Sequence, residues 1–293
     1  MRIHIISPSG AIDPTYIHKA AARLSHHGHQ VSIAPHACGQ YGRFSGTPEE
    51  RIADLQQAID SPNIDAILCS RGGYGLVQII DKINFSSLKM HPKLFIGFSD
   101  ITVLHNALGH FSIPSVHGIM CKHITELAEE AAPLRIMLSI LNDEQANKYY
   151  IKPHSLNRNG LCSGIVRGGN LSVLYGLRHT PFDLPDTDDT ILFIEDIAER
   201  PYHIDRMMNN LRLSGTLARL KGLIVGQFSD CPDDPLMMKD IAHIIHDHVD
   251  KYNYPVCFDF PAGHVEYNLP IWLNRKASMR VDHEGCCLHY DEI

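Results

Sequence analysis

Apolar residues in the first half of the chain fall into short runs separated by amphipathic stretches. Residues 3–6 and 31–34 are apolar runs of strand length. Between them, Asp13-Pro14 predicts the start of a helix with Ile17, Ala21 and Leu24 on one face, stopping near Gly28. Thr47-Pro-Glu-Glu50 is a capping box with proline at the first helical position, and it leads into Ile52, Leu55 and Ile59. Residues 64–69 and 94–98 are further strands. The first runs into the loop Arg71-Gly-Gly-Tyr-Gly75, and the second stops at Ser99. Asp100 then opens a helical pattern with Ile101, Leu104, Leu108 and Phe111 on one face. Strands that alternate with helices predict a parallel sheet covered on both faces. The fold class is therefore α/β, with a Rossmann-like N-terminal domain over residues 1–125.

From there the pattern changes. A helical stretch carries Leu134, Met137, Leu138 and Leu141, and polar segments follow at 142–148 and 153–159. Residues 126–160 read as a linker, and 161–293 as a mixed α/β C-terminal domain with several short strands. Strands are expected near Ile191, Leu223 and Val256, with helices over 203–213 and 236–249. Short strands at 271–273, 278–281 and 287–290 close the chain. No internal repeat or low-complexity tract interrupts this order.

Composition narrows the function classes. The chain has 293 residues, 44% of them hydrophobic, enough for two ordinary globular domains. A net charge of −7 with scattered basic residues gives no electrostatic reason for a nucleic-acid or anionic-membrane partner. No apolar stretch approaches the ~18 residues of a membrane span. The N-terminal apolar run is too short for a signal-peptide core, so a cytoplasmic location is expected. The eight cysteines include no C-x-x-C pair and read as reduced. Of the twenty histidines, clusters at His26, His27 and His29 and at His243, His246 and His248 lack zinc-motif spacing and read as helix-face residues. No metal and no cofactor is expected. The missing G-x-G-x-x-G after the first strand and the missing Walker lysine argue against a dinucleotide or nucleotide role.

The chemistry points to three positions. Ser99 sits at a strand-to-helix turn, which holds a hydroxyl away from the sheet at a helix N-terminus; Ile101 replaces the second glycine of a full G-x-S-x-G elbow. Taken alone, Ser99 reads sooner as a helix cap. Glu195 ends the apolar run 190–194, and His264 follows 255–263. All three stand past the carboxyl ends of expected strands, where open α/β sheets bind ligands. A serine hydroxyl needs a base, histidine is that base, and a carboxylate fixes the histidine tautomer.

Five motifs then occur in order: Arg71-Gly-Gly-Tyr-Gly75, Gly97-Phe-Ser-Asp-Ile-Thr102, Gly168-Gly-Asn-Leu171, Ile194-Glu-Asp-Ile-Ala-Glu-Arg-Pro-Tyr202 with Asp205-Arg-Met207, and Gly263-His264. Together they resemble the LD-carboxypeptidases of bacterial murein recycling, a serine-peptidase group that also contains microcin-immunity proteins. The resemblance runs from Ser7 to the strands after His264. It implies a Ser-Glu-His triad at Ser99, Glu195 and His264, with Ser99 in the first half of the chain and the others in the second. The triad is thus expected to be assembled between two domains. The resemblance further implies release of the terminal D-alanine from tetrapeptide muropeptides, with a muropeptide or other small peptide as partner and a homodimer left open.

Substrate-binding candidates are Gly72, Gly73, Asp100, Arg167 and Asn170. The glycines of this loop read as a tight turn or as backbone that lets N–H groups approach an oxyanion closely; the resemblance favours the second and implies Gly72 or Gly73, with the Asp100 amide, as donors. Arg167 reads as a partner for a substrate carboxylate or as a solvated strand-end residue, and Asn170 as a cleft residue or a helix cap. Two other readings remain at this level. A microcin-immunity-type hydrolase of peptidyl-nucleotide amides would carry an aromatic loop for the base, whereas the single tryptophan, Trp272, lies in an apolar run. A non-enzymatic small-ligand-binding α/β protein would lack a hydrogen-bonded triad.

Overall fold

The computed structural model describes residues 1–144 and 147–291. The chain divides into two compact units, Met1–Ala146 with Leu269–Trp272, and Asn147–Asn268 with Leu273–Ile293.

The first unit contains β1 (Arg2–Ile6), α1 (Pro14–His26), β2 (Gln30–Ile33), α2 (Pro48–Asp60), β3 (Ala66–Cys69), β4 (Leu94–Gly97), α3 (Thr102–Gly109), β5 (Ser115–His117), α4 (Cys121–Glu126) and α5 (Ala132–Leu141). The second contains β6 (Lys148–Ile151), β7 (Gly160–Asn170), α6 (Leu171–Leu177), β8 (Thr190–Ile197), α7 (Pro201–Leu213), β9 (Gly222–Ser229), α8 (Ile241–Val249) and β10 (Val256–Cys257). The chain closes with β11 (Ile271–Leu273), β12 (Arg275–Asp282) and β13 (Gly285–Tyr290).

Among the described residues the first sheet has the order β11-β5-β4-β3-β1-β2. The pairs β1–β2, β1–β3, β3–β4 and β4–β5 are all parallel, as the alternating pattern predicts. Strand order reverses between β1 and β3, so the loops leaving these two strands diverge and open a crevice at their carboxyl ends. β3 is apolar along its whole length and fully buried, as a strand covered on both faces must be. α1 starts at the Asp13 cap with Pro14 at its first position and buries Ile17, Ala20 and Leu24. Ala20, three residues on from Ile17, takes the place expected of Ala21. α2 starts at the Thr47–Glu50 capping box, a reciprocal pair worth about 1 kcal/mol. α3 is buried on every side and ends at Gly109. Phe111 therefore lies beyond the helix, 42% exposed, and is not part of its apolar face.

The second sheet has the order β10-β9-β8-β7-β12-β13-β6. Its β7–β8–β9–β10 half is parallel and its β7–β12–β13–β6 half antiparallel, the mixed class expected. A core of Leu192, Ile194, Leu223 and Val225 from the parallel strands packs with Ile204, Met208, Leu211, Ile245 and Val249 from α7 and α8. The stretch expected as linker, 126–160, holds α5 and the edge strand β6, which pairs with β13. α8 starts at the Asp240 cap rather than near 236, because Met238 just before it is left-handed (φ 55°).

Candidate active site

Ser99 owes its position to an abrupt reversal of the chain. β4 ends at Gly97, Phe98 is extended (φ −148°, ψ −173°), and Ser99 takes φ 66° before a 3-10 turn leads into α3. A left-handed non-glycine residue stores about 1 kcal/mol or more of strain, and such strain collects at functional turns. The turn is fixed from behind by His105 on α3. Its Nε2 donates to the Gly97 carbonyl at 2.8 Å, so its Nδ1 accepts from the Ser115 hydroxyl at 2.8 Å. Full burial pulls the His105 pKa down to about 4, which keeps the ring neutral.

The glycine loop after β3 packs directly against Ser99. A Cβ on Gly72 would lie 2.7 Å from the Ser99 Cβ and 3.0 Å from its Oγ. Three contacts hold this loop in place. The Gly10 amide donates to Gly72 O at 3.0 Å, the Asp100 carboxylate accepts from the Leu76 amide at 2.9 Å, and Arg51 Nη1 donates to Gly75 O at 2.9 Å. Arg51 also donates to Pro8 O and Gln78 Oε1 and lies over the Phe44 ring, 4.8 Å from its centroid. Burial pushes the Asp100 carboxyl above its ordinary pKa. Gly73 (φ 99°) and Gly75 (φ 138°) adopt conformations that L side chains rarely take.

Glu195 and His264 meet in the second unit. β8 is buried along nearly its whole length, and Glu195 lies at a break in its pairing with β9. The register passes from Ile194↔Val225 to Asp196↔Phe228, so β9 advances three residues where β8 advances two. Such a bulge re-aims a side chain. Glycines line the space that the carboxylate occupies: a Cβ on Gly263 (φ 140°) would lie 3.2 Å from Glu195 Oε2, and one on Gly226 3.2 Å from the Glu195 Cβ. Gly263 itself is tied to Asn268 Oδ1 at 3.0 Å, and the His264 carbonyl to the Ser229 hydroxyl at 2.8 Å. His264 Nδ1 stands 2.7 Å from Glu195 Oε2, with the glutamate side chain 0% and the histidine 14% exposed. A carboxylate can only accept, so Nδ1 is the donor, and in the neutral ring the lone pair is on Nε2. That is the tautomer a general base needs.

Asp196, the next residue on β8, faces the start of α6. It accepts from Asn170 Nδ2 at 2.9 Å, the Ser172 amide at 2.8 Å and the Ile197 amide at 2.9 Å. Burial, with the neighbouring Glu195 charge adding to it, raises its pKa to about 6. Asn170 caps α6 by accepting from the Val173 amide, the capping alternative of its two readings. Arg167 is drawn into an ion pair with Asp189 at 2.6 Å and bonds to Thr187 and Thr190, so its Nη1 is committed to its own strand's surroundings rather than to a carboxylate ligand. Trp272 is 7% exposed in β11. Asp205 accepts from Asn209 and pairs with His248. Among the described residues, no three His, Cys, Asp or Glu side chains are grouped to hold a metal ion, and the eight cysteines are free thiols.

Sequence reasoning did not single out Arg51, the Asp100 side chain, Asp196 or Asn268 for roles at the site. Arg51 has a legible signal in retrospect: it occupies the buried face of α2, four residues before Leu55.

Residues 3–118 match the family model of the LD-carboxypeptidase N-terminal domain, and residues 163–279 that of the LD-carboxypeptidase C-terminal domain. The probable murein peptide carboxypeptidase of Bacillus subtilis (strain 168) is 32% identical over 281 residues, spanning 94% of this chain and 88% of its own. The murein tetrapeptide carboxypeptidase of Pseudomonas aeruginosa is 28% identical over 284 residues, spanning 91% and 89%. The crystal structure of muramoyltetrapeptide carboxypeptidase from Oxalobacter formigenes superposes with a TM-score of 0.88 at 26% identity, covering 100% of this chain and 99% of that one. The microcin C7 self-immunity protein MccF, at 18% identity, shares the fold with a TM-score of 0.87 over 99% of this chain and 96% of its own.

Proposed function

We infer that this chain, which belongs to the LD-carboxypeptidase family, releases the terminal D-alanine from tetrapeptide muropeptides with Ser99 as nucleophile. The observation that carries the reading is the 2.7 Å hydrogen bond from His264 Nδ1 to the wholly buried Glu195. It leaves Nε2 as the basic nitrogen, and an imidazolium formed there is stabilised by a charge that water does not screen.

In the proposed mechanism His264 Nε2 accepts the Ser99 proton as Oγ attacks the carbonyl preceding the D-alanine. The oxyanion is met by backbone amides, for which Gly72 and Asp100 are the favoured donors because Gly72 packs on the Ser99 side chain. His264 then passes its proton to the leaving amine. D-alanine departs and an ester to Ser99 remains. Water, deprotonated by the same imidazole, releases the shortened peptide. The left-handed φ of Ser99 sets the sharp strand-to-helix turn that carries its hydroxyl. The microcin-type reading has less support, since Trp272, the one tryptophan, is packed in β11 and does not present a face for a nucleobase.

The test is incubation of the purified protein with matched tetrapeptides ending in D-alanine or L-alanine. Stoichiometric release from the D-ended peptide alone supports the reading; release from neither, or equally from both, refutes it.

A further inference from the structure

We propose that Arg43 and Arg71 form the pocket that receives the free carboxylate of the residue the enzyme releases, which makes it a carboxypeptidase rather than an endopeptidase. The proposal rests on the function inferred above and adds the groups that recognise the substrate's end.

The loops leaving β1 and β3 diverge where the strand order reverses, and they are joined by the Gly10 amide on Gly72 O at 3.0 Å. At this crevice lies a cavity of about 440 Å³ walled by Gly10, Gln40, Arg43, Arg71, Gly73 and Tyr74, among others. None of its lining residues is acidic. Arg71 Nη1 donates to the Ala11 carbonyl at 2.5 Å, which orients the guanidinium and leaves its other donors for a ligand. Among the described residues both of these exposed arginines lack a carboxylate partner, as do Arg51, Arg135, Arg200, Arg206 and Arg212; what sets Arg43 and Arg71 apart is that both line one cavity with no acidic residue in its wall. In a chain with 33 acidic and 26 basic residues, two cations left uncompensated in one concave site mark a place for an anion.

The position fits a terminal carboxylate. Arg71 immediately precedes Gly72, the residue packed on Ser99, and consecutive Cα atoms are about 3.8 Å apart. In a peptide's last residue the carboxylate carbon lies within about 4 Å of the scissile carbonyl carbon, three covalent bonds away. Arg71 belongs to the same loop as the Gly72 that packs on Ser99, and the planar fork of its guanidinium matches a carboxylate with two parallel hydrogen bonds. A peptide extended beyond the D-alanine would place a neutral amide against two cations and carry its own carboxylate past them.

The experiment compares kcat/KM for a tetrapeptide with a free terminal carboxylate and for the same peptide as its C-terminal carboxamide. The wild type should favour the acid by about 100-fold or more. Arg71→Gln and Arg43→Gln should each erase at least about tenfold of that preference, mostly through KM, with Arg71→Lys in between. Arg43 makes no side-chain hydrogen bond among the described residues, so Arg43→Gln tests the pocket even if Arg71→Gln does not fold. Active variants that keep the full preference for the acid overturn the pocket. A wild type that releases no D-alanine from the free acid overturns the inferred function, and the carboxylate assignment with it.

Discussion

Gly72→Ala puts the close packing behind Ser99 to a direct test. Gly72 does not have a positive φ, so alanine fits its backbone and the perturbation is steric. The new Cβ would stand 2.7 Å from the Ser99 Cβ, 3.0 Å from its Oγ and 3.0 Å from Phe98 O. Relaxed carbon–carbon contacts lie at about 3.5–4.0 Å, so one side must give by about 1 Å. Gly72 cannot easily retreat, because its carbonyl is held by the Gly10 amide. Ser99 is the softer partner, since it already sits in a strained conformation. A nucleophile displaced by about 1 Å loses on the order of 10²-fold in rate. Overpacking of this kind costs about 1–3 kcal/mol of stability, which leaves a domain of this size folded. The assay is steady-state D-alanine release beside a urea unfolding curve. The expected result is a folded variant with kcat down about 100-fold. A variant with kcat within twofold of wild type would refute the argument that Gly72 sets the position of Ser99.

Other expectations follow from the same contacts. Arg51→Met removes the bonds to Pro8 O, Gly75 O and Gln78 Oε1 and should lower stability by about 2–4 kcal/mol in urea unfolding, with a loss of kcat as the glycine loop loosens; unchanged stability would contradict the anchoring role. Asp196 holds its proton to about pH 6 in the native state against 3.8 ordinarily, so the native state binds more protons in that window and stability falls as pH rises through it. Relative to Asp196→Asn, the wild type should lose about 2–3 kcal/mol between pH 4 and pH 7; a difference that does not vary with pH would contradict the assignment. Glu195→Gln can donate to His264 Nδ1 and favour the wrong tautomer, so kcat should fall by about 10³-fold or more with KM little changed.

Local pattern made much of the fold readable. The Thr47 capping box, the Asp13-Pro14 start of α1 and the buried faces through Ile17, Leu24, Leu55 and Ile59 are all set by neighbours in sequence. So is β4, which leads to Ser99, because an apolar run followed by a polar helix start encodes the turn. β6 escaped because it is an edge strand with Lys148 and Tyr150 facing outward, and its alternation is set within polar surroundings. The supports of the site escaped for a different reason. Arg51 reaches Pro8, Gly75 and Gln78, which are 24 to 43 residues away, and the Asp100 carboxylate reaches an amide 24 residues back. No periodicity reports such long-range bonds. Arg167 shows the converse: its residue type suits a carboxylate ligand, but Asp189, 22 residues on, takes it. The bulge at Glu195 likewise depends on pairing with β9, which the sequence of β8 alone does not reveal.

Whether Ser99 carries the acyl group in D-alanine release is tested by following that release in wild type and Ser99→Ala while acid-quenched reactions are examined by intact-protein mass. With Ser99 as the nucleophile, wild type releases D-alanine and shows, during turnover, an added mass equal to the acyl tripeptide, localised to the peptide containing Ser99. Ser99→Ala then shows neither that adduct nor release above about 10⁻³ of the wild-type rate, and this is the expected result. Substantial D-alanine release by Ser99→Ala, or an adduct on another residue, would contradict it.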